Sequence, residues 1–235
     1  MADRSHSEGI VVVTNSAAVE AWAPPNCLIE PRLNVYDCAA YTKPQRSSAM
    51  SPEAKGKDPS VIVVMGVSGS GKSTIAAMLA ARLGWTYEDA DWFHPPSNVE
   101  KMHSGVALTD DDRRPWLHGI AAWIDATRNI GAHGVIACSA LKRAYREILV
   151  GNRRDVRIVY LKGSRELIAR RMALRHGHFM PGSMLDSQFA TLQEPGEDEC
   201  PIVVSIEPRP HEIVDAIVAK LGISTEGIKI KAAAK

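Results

Sequence analysis

The sequence predicts an α/β fold, a three-layer sandwich in which helices cover both faces of a five-stranded parallel sheet. Val61–Met65 holds four β-branched residues and a methionine, the continuous apolar run that is typical of a buried parallel strand. A glycine-rich segment follows it at once, and four more strand-like segments alternate with helix-like ones up to residue 222. Helical connections of this length favour right-handed crossovers between parallel strands.

The individual elements are predicted from apolar runs and their spacing. We expect strands at Val61–Met65, Thr86–Asp89, Gly134–Cys138, Val156–Leu161 and Ile202–Ile206. We expect helices at Ser73–Leu83, Pro115–Arg128, Arg143–Leu149, Ser164–Leu174, Ser183–Leu192 and Pro210–Leu221. In the first helix Ile75 and Leu79 share a face, and Gly84 is suited to end it. Pro115 is expected in the first turn of the next helix, with Asp112 near its N-cap.

The chain divides into three regions. Residues 1–59 hold six of the 14 prolines and no sustained apolar period, so they are expected to form a disordered N-terminal extension. A small folded module, or a start site that truly lies at Met50, are the alternatives. Residues 60–222 form the folded domain, and residues 223–235 are expected to be a flexible tail.

The composition of the chain argues against several classes of protein. A formal net charge of +1 argues against a nucleic-acid partner, which usually needs a basic face. The sequence has no apolar run long enough to span a membrane and no secretory signal pattern. Its four cysteines show no CxxC spacing, so neither a zinc site nor a disulfide framework is indicated. A cytoplasmic setting is therefore expected.

The glycine-rich segment after the first strand predicts a phosphate-binding loop. Its glycines let successive backbone N–H groups turn toward phosphate oxygens, and the following helix adds the positive end of its dipole. Lys72 would place a positive charge on the β- and γ-phosphates, and Ser73 would offer a hydroxyl to Mg²⁺. The expected ATP contacts in this loop are Gly66, Ser68, Gly69, Ser70, Gly71, Lys72, Ser73 and Thr74.

Two carboxylates end the second strand, where an open α/β sheet binds its ligands. Strand alternation is expected to place Asp89 and Asp91 on the same side. One would hold Mg²⁺ and the other would deprotonate a substrate hydroxyl, although a solvated acidic turn is the alternative. The chain lacks an Asn-Lys-x-Asp guanine motif and an apolar run ending in Asp-Glu, so a GTPase or a motor ATPase is disfavoured.

Further motifs follow in a fixed order. The chain reads Asp89-Ala-Asp-Trp-Phe-His-Pro, then Asn98-Val-Glu-Lys-Met, Gly105-Val-Ala-Leu and Asp110-Asp-Asp-Arg-Arg-Pro-Trp-Leu. Later come Cys138–Arg146, Val159–Gly163, Arg171–Pro181 and Ser187–Pro195. Together these segments resemble the thermoresistant type of gluconokinase, over about residues 60–221. Gln193 departs from that pattern, since the family more often has an acidic residue there.

The resemblance implies a P-loop kinase, similar to shikimate kinases, that uses ATP and Mg²⁺. It would transfer phosphate to the 6-hydroxyl of D-gluconate, and the 6-phospho-D-gluconate would feed the pentose phosphate or Entner–Doudoroff route. By this resemblance Asp89 sits on the Mg²⁺ side and Asp91 accepts the proton of the hydroxyl. A homodimer is implied by the resemblance alone.

The candidate contacts to the sugar acid are Asp91, His94, Asn98, Lys101, Arg113, Ser139, Lys142, His178 and Gln188. Arg113 is expected to clamp the carboxylate, because a planar guanidinium binds it in a fork; a surface ion-pair cluster is the alternative. His94 and Gln188 have structural hydrogen bonding as their alternative, and Lys101 has a surface position. Of Lys142, Tyr145 and Arg146, one is expected to be plain helix surface.

Residues 171–184 are expected to form a mobile lid, because glycines and a proline interrupt a run of basic residues. Arg175 is expected to reach the γ-phosphate as a catalytic group, and Arg171 to lie near adenine or phosphate. A basic helix end is the alternative. Rival functions are another small-acid or nucleoside monophosphate kinase, and a non-catalytic nucleotide-binding regulator, which would not need paired carboxylates.

Overall fold

A computed structural model describes residues 59–173 and 182–223 of the chain. Nearly all of the expected N-terminal extension and tail lies outside these residues. So does the middle of the expected lid, which includes Arg175 and His178. None of the described helices combines the length and the apolar character needed to cross a bilayer.

Among the described residues, five strands form one parallel sheet in the order β2-β3-β1-β4-β5. The strands are β1 Val61–Met65, β2 Thr86–Asp89, β3 Gly134–Ala137, β4 Val156–Lys162 and β5 Ile202–Ser205. The helices are α1 Lys72–Leu83, α2 Pro96–His103, α3 Asp110–Asn129, α4 Arg143–Leu149, α5 Arg165–Ala173, α6 Gly182–Thr191 and α7 Pro210–Leu221. Short 3₁₀ turns occupy Ala90–Phe93 and Glu197–Glu199. The predicted sheet is confirmed.

Helices cover both faces of this sheet, which explains the apolar strand sequences. All five side chains of β1 are buried because β1 lies at the centre. One core joins the sheet to α1 and α7, and the other joins it to α3 and α4. Val64 of β1 and Asp89 of β2 both pair with Ala137 of β3. The carboxyl ends of these strands therefore meet at one edge, where ligands bind in such folds.

The predicted start of the second helix was wrong. Helix α3 begins at Asp110, and Thr109 caps it: the Thr109 hydroxyl accepts a hydrogen bond from the Asp112 amide, and the Asp112 carboxylate accepts one from the Thr109 amide. Pro115 consequently lies in the helix interior and not in the first turn. Three aspartates fill that first turn, where the positive dipole end favours negative side chains.

Helix α2 was not among the predicted helices. Pro96 stands in its first turn, where its missing N–H costs no hydrogen bond. Most of the other predicted boundaries differ from the structure by no more than one residue. Gly84 ends α1 in the left-handed conformation, as predicted.

Candidate active site

The phosphate loop joins β1 to α1 at the carboxyl edge of the sheet. Gly66, Gly69 and Gly71 adopt φ angles of +150°, +81° and +95°, which L side chains disfavour. Space is restricted as well: a Cβ on Gly66 would lie 2.8 Å from the Ser70 hydroxyl oxygen, and one on Gly69 would lie 2.8 Å from Met172. The glycines thus permit both the curl of the loop and its close packing.

Side chains of the loop differ in their surroundings. Lys72 Nζ donates a hydrogen bond to the Val67 carbonyl at 3.2 Å. The Ser70 hydroxyl is buried without a hydrogen-bond partner among the described residues, and the Ser70 amide bonds to Val67, so Ser70 shapes the loop. The amide of Ser68 donates to Gln188 Oε1 at 2.7 Å. Gln188 was expected near the sugar acid, but the structure ties it to the phosphate loop.

Ser73 and Asp89, the expected Mg²⁺ ligands, lie together. Ser73 Oγ donates to Asp89 Oδ2 at 2.8 Å, and the Tyr87 hydroxyl donates to the same oxygen at 3.1 Å. Burial, followed by the negative charge of Asp89, raises the pKa of Tyr87 to about 12, which keeps this donor protonated. A hydroxyl and a carboxylate suit Mg²⁺, which takes one or two protein ligands and completes its shell with water and phosphate.

Asp91 lies in the 3₁₀ turn that follows β2, so strand alternation does not place it. The turn instead brings the Asp91 amide within 3.1 Å of Asp89 Oδ1. Asp91 is accessible to solvent, yet desolvation and the negative charge of Asp89 raise its pKa, while Lys72 opposes that rise. A carboxylate with a raised pKa is the better general base, which matches the role expected for Asp91.

Trp116, which the sequence offered only as an apolar residue of its helix and as part of a motif, anchors that turn. Its indole N–H donates to the Ala90 carbonyl at 2.7 Å. The ring of His94 stacks on it, with centroids 4.7 Å apart and planes 4° from parallel. A buried tryptophan beside this turn gives no distinctive sequence signal, because aromatic residues at helical spacing usually belong to the core.

Asn98 and Lys101 join α2 to the start of α3. The buried Asn98 side chain donates to the Asp112 carbonyl at 2.7 Å, and Lys101 Nζ lies 2.6 Å from Asp112 Oδ1. The structure therefore gives Asn98 a structural bond and pairs the exposed Lys101 with a carboxylate. An open recess of about 500 Å³ runs along α2 past His94, but neither Asp91 nor Lys72 lines it.

Arg113 and Lys142 meet at Asp110. Lys142 Nζ lies 2.7 and 2.6 Å from the two Asp110 carboxylate oxygens, and Arg113 Nη1 lies 3.7 Å from one of them. Arg113 also donates to the Leu108 carbonyl at 2.6 Å. The Tyr145 hydroxyl donates to Asp110 at 2.5 Å. The ion-pair alternative is thus realised for Arg113, although its partly buried guanidinium keeps further donors.

The loop after β3 carries Ser139 and leads to Lys142. Ser139 is partly buried, next to Cys138. Burial raises the pKa of the Cys138 thiol to about 12, so Cys138 is a small core residue and not a nucleophile.

Arg146 is structural, and the expectation that one of Lys142, Tyr145 and Arg146 is plain helix surface was wrong. Its side chain is 2% exposed and forms two hydrogen bonds with the Glu199 carboxylate, at 2.6 and 2.8 Å. It also donates to the carbonyls of Ala140 and Gln193. Arg146 therefore fixes the loop that carries Ser139 and Lys142.

Helices α5 and α6, which flank the undescribed residues, both contact the phosphate loop. Ile168 and Met172 of α5 pack on Gly69, and Gln188 of α6 bonds to Ser68. Arg171 donates to the Ile206 carbonyl past the end of β5, so its expected contact with adenine or phosphate stays a prediction.

Comparison with known proteins decides the family. Residues 68–219 match the family described as shikimate kinase. A gluconokinase from Gluconobacter oxydans (strain 621H) is 47% identical over 163 residues, which cover 69% of this chain and 92% of that protein. The chain belongs to the gluconokinase family. The thermoresistant gluconokinase of Escherichia coli (strain K12) is 43% identical over 68% of this chain and 91% of its own.

Solved structures agree with that assignment. A gluconokinase from Sinorhizobium meliloti 1021 is 42% identical and matches with a TM-score of 0.65 over 71% of this chain and 94% of its own. As a member of the gluconokinase family the chain is a kinase, and the predicted P-loop kinase fold is confirmed.

The stacked, partly buried His94 leads to a prediction about pH. Burial, with a smaller effect of the Arg113 charge, lowers the pKa of His94 to about 4. Because the folded-state pKa is depressed, the stability it confers is fully present above the unfolded-state value of about 6.5 and declines as the pH falls toward 4. NMR titration should show a neutral His94 ring at pH 6. A His94 midpoint near 6.5 would contradict the prediction.

Proposed function

We propose that this chain transfers the terminal phosphate of ATP to the 6-hydroxyl of D-gluconate, giving 6-phospho-D-gluconate and ADP. The observation that carries the proposal is the position of Asp91. It lies close enough to Lys72 and Asp89 for both charges to shift its pKa, at the edge of the sheet where the phosphate loop begins. The family relatives named gluconokinase support the choice of acceptor.

Four side chains at the carboxyl edge of the sheet act in the proposed reaction. Asp91 accepts the proton of the hydroxyl as the oxygen forms its bond to the terminal phosphorus, and the bond to the bridging oxygen of ADP breaks. Lys72 supplies positive charge beside the transferred group, with the N-terminus of α1 behind it. Ser73 and Asp89 would hold Mg²⁺, which neutralises phosphate charge when bound.

The acceptor side of the proposed site is cationic. Lys101, Arg113 and Lys142 stand on segments that follow β2 and β3, each near an aspartate. We propose that Arg113 and Lys142 bind the carboxylate of the sugar acid, with His94 contacting its hydroxyls. Arg175 and His178 stay in the proposal as lid residues. A cytoplasmic setting is proposed from cysteine usage, and a homodimer from the family resemblance.

A coupled assay of ADP release tests the acceptor. Purified protein would be given MgATP with gluconate, shikimate, glycerate or a nucleoside monophosphate. We expect gluconate to exceed the others in kcat/KM by at least ~100-fold, because a site built around polar contacts rejects acceptors that leave its groups unpaired. Equal or better turnover of shikimate would overturn the proposal. ADP release without any acceptor would favour an ATPase or a regulator.

A further inference from the structure

Asp110 is the meeting point of three side chains on the acceptor side of the proposed site. It stands first in α3, where its two oxygens bond to Lys142 and one of them accepts from the Tyr145 hydroxyl. Arg113, one turn further along α3, lies 3.7 Å away. No sequence motif gave Asp110 a role of its own, since it is one of three consecutive aspartates.

Two of the partners of Asp110, Lys142 and Tyr145, come from a different part of the chain. Lys142 immediately precedes α4, and Tyr145 follows it by one helical turn, with its ring centroid 5.6 Å from Lys142 Nζ. Asp110 therefore links the start of α3 to the loop after β3. The hydrogen bond from Lys142 and then that from Tyr145 lower the pKa of Asp110, so it remains ionised at neutral pH.

A lysine with a mobile side chain loses rotamer freedom when it binds a substrate. A fixed carboxylate that already holds the lysine reduces this loss, because the ordering has occurred on folding. Asp112 does the same for Lys101. Lys101, Arg113 and Lys142 carry three positive charges, and Asp110 and Asp112 carry two negative ones. The net charge of +1 matches an acceptor with a single carboxylate.

We propose that Asp110 is a positioning residue for the acceptor, holding Lys142, Tyr145 and Arg113 in the arrangement that binds a monocarboxylate sugar acid. This inference rests on the proposed function, since it takes Arg113 and Lys142 as acceptor contacts. Asp110 acts through these side chains and does not touch the reacting atoms.

The test compares Asp110→Asn with Asp111→Asn. Asp111 is its neighbour, but its side chain is 86% exposed and pairs only loosely with Arg114, at 3.4 Å. Asp110→Asn should raise the KM for gluconate about tenfold, because it weakens charge-assisted bonds, while the KM for ATP stays within about twofold. Asp111→Asn should leave both values unchanged. A circular dichroism melt would confirm that both variants are folded.

The outcomes separate the inference from the proposed function. If wild-type protein ignores gluconate but phosphorylates another acid, the proposed function fails, and the same comparison is made with that acid. An unchanged acceptor KM in Asp110→Asn, or equal rises in the KM for acceptor and for ATP, would overturn the positioning role. Should Asp110→Asn fail to fold, Tyr145→Phe removes one bond to Asp110, and an unchanged gluconate KM there would refute the inference equally.

Discussion

Replacing Asp91 with asparagine should lower kcat by roughly 10²–10⁴-fold, the usual contribution of a general base. Asparagine keeps the size and shape of the side chain but cannot accept the proton. Binding of ATP should survive, because the phosphate loop and Lys72 are unaltered. Steady-state ADP release and calorimetric titration of ATP would measure the two quantities separately.

Asp89→Asn provides the matched control, since Asp89 lies beside Asp91 and bonds to Ser73. Its main effect should be a higher Mg²⁺ concentration for half-maximal rate. The pH profile adds a second readout: wild-type activity should fall on the acid side as Asp91 becomes protonated, at a pH above the ordinary aspartate value. Asp91→Asn should lack this limb. If the kcat of Asp91→Asn lies within tenfold of the wild-type value, Asp91 is not the general base.

Arg146→Ala should lower the free energy of unfolding by about 3–5 kcal/mol, the cost of removing one partner from a buried ion pair. Arg146 is 2% exposed, and its loss would leave the Glu199 carboxylate without its cationic partner and the carbonyls of Ala140 and Gln193 without the guanidinium donor. Urea denaturation followed by tryptophan fluorescence would measure the change. The acceptor KM should also rise, because the loop carrying Lys142 loses its anchor.

Arg143→Ala is the control for that measurement. Arg143 lies in the same helix and pairs with Glu147 and with Asp198, the residue before Glu199. All three side chains are about half exposed or more, so this loss should cost far less stability than the loss of Arg146. Similar losses of stability for the two variants would show that burial does not decide the contribution of Arg146.

Local patterns were enough to predict the sheet and the phosphate loop. The β-branched, apolar run of β1 is typical of a buried parallel strand, and the glycine spacing after it is typical of a phosphate-binding loop. The closeness of Ser73 and Asp89, the two expected Mg²⁺ ligands, was also predictable, because the phosphate loop before Ser73 and the end of β2 both lie at the carboxyl edge of the sheet. Sequence alone could place these groups on a shared edge of the sheet.

The partners of charged residues could not be predicted in the same way. Arg113 has three aspartates just before it, and nothing in the sequence says that Asp110 turns toward Lys142 while Asp111 faces solvent. Those choices depend on where α3 begins, and the start was misplaced because Pro115 resembled a first-turn residue. Arg146 posed the same problem, since its partner Glu199 lies 53 residues away.

The contact between Gly69 and Met172 has a consequence for sequence divergence. Because the Met172 side chain fills the space that a Cβ on residue 69 would need, the two positions cannot vary independently. A descendant with alanine at 69 would need a shorter side chain at 172, and would still bear the unfavourable left-handed φ angle. Replacement of Gly69 should therefore be rare, and accompanied by a change 103 positions along the chain when it occurs.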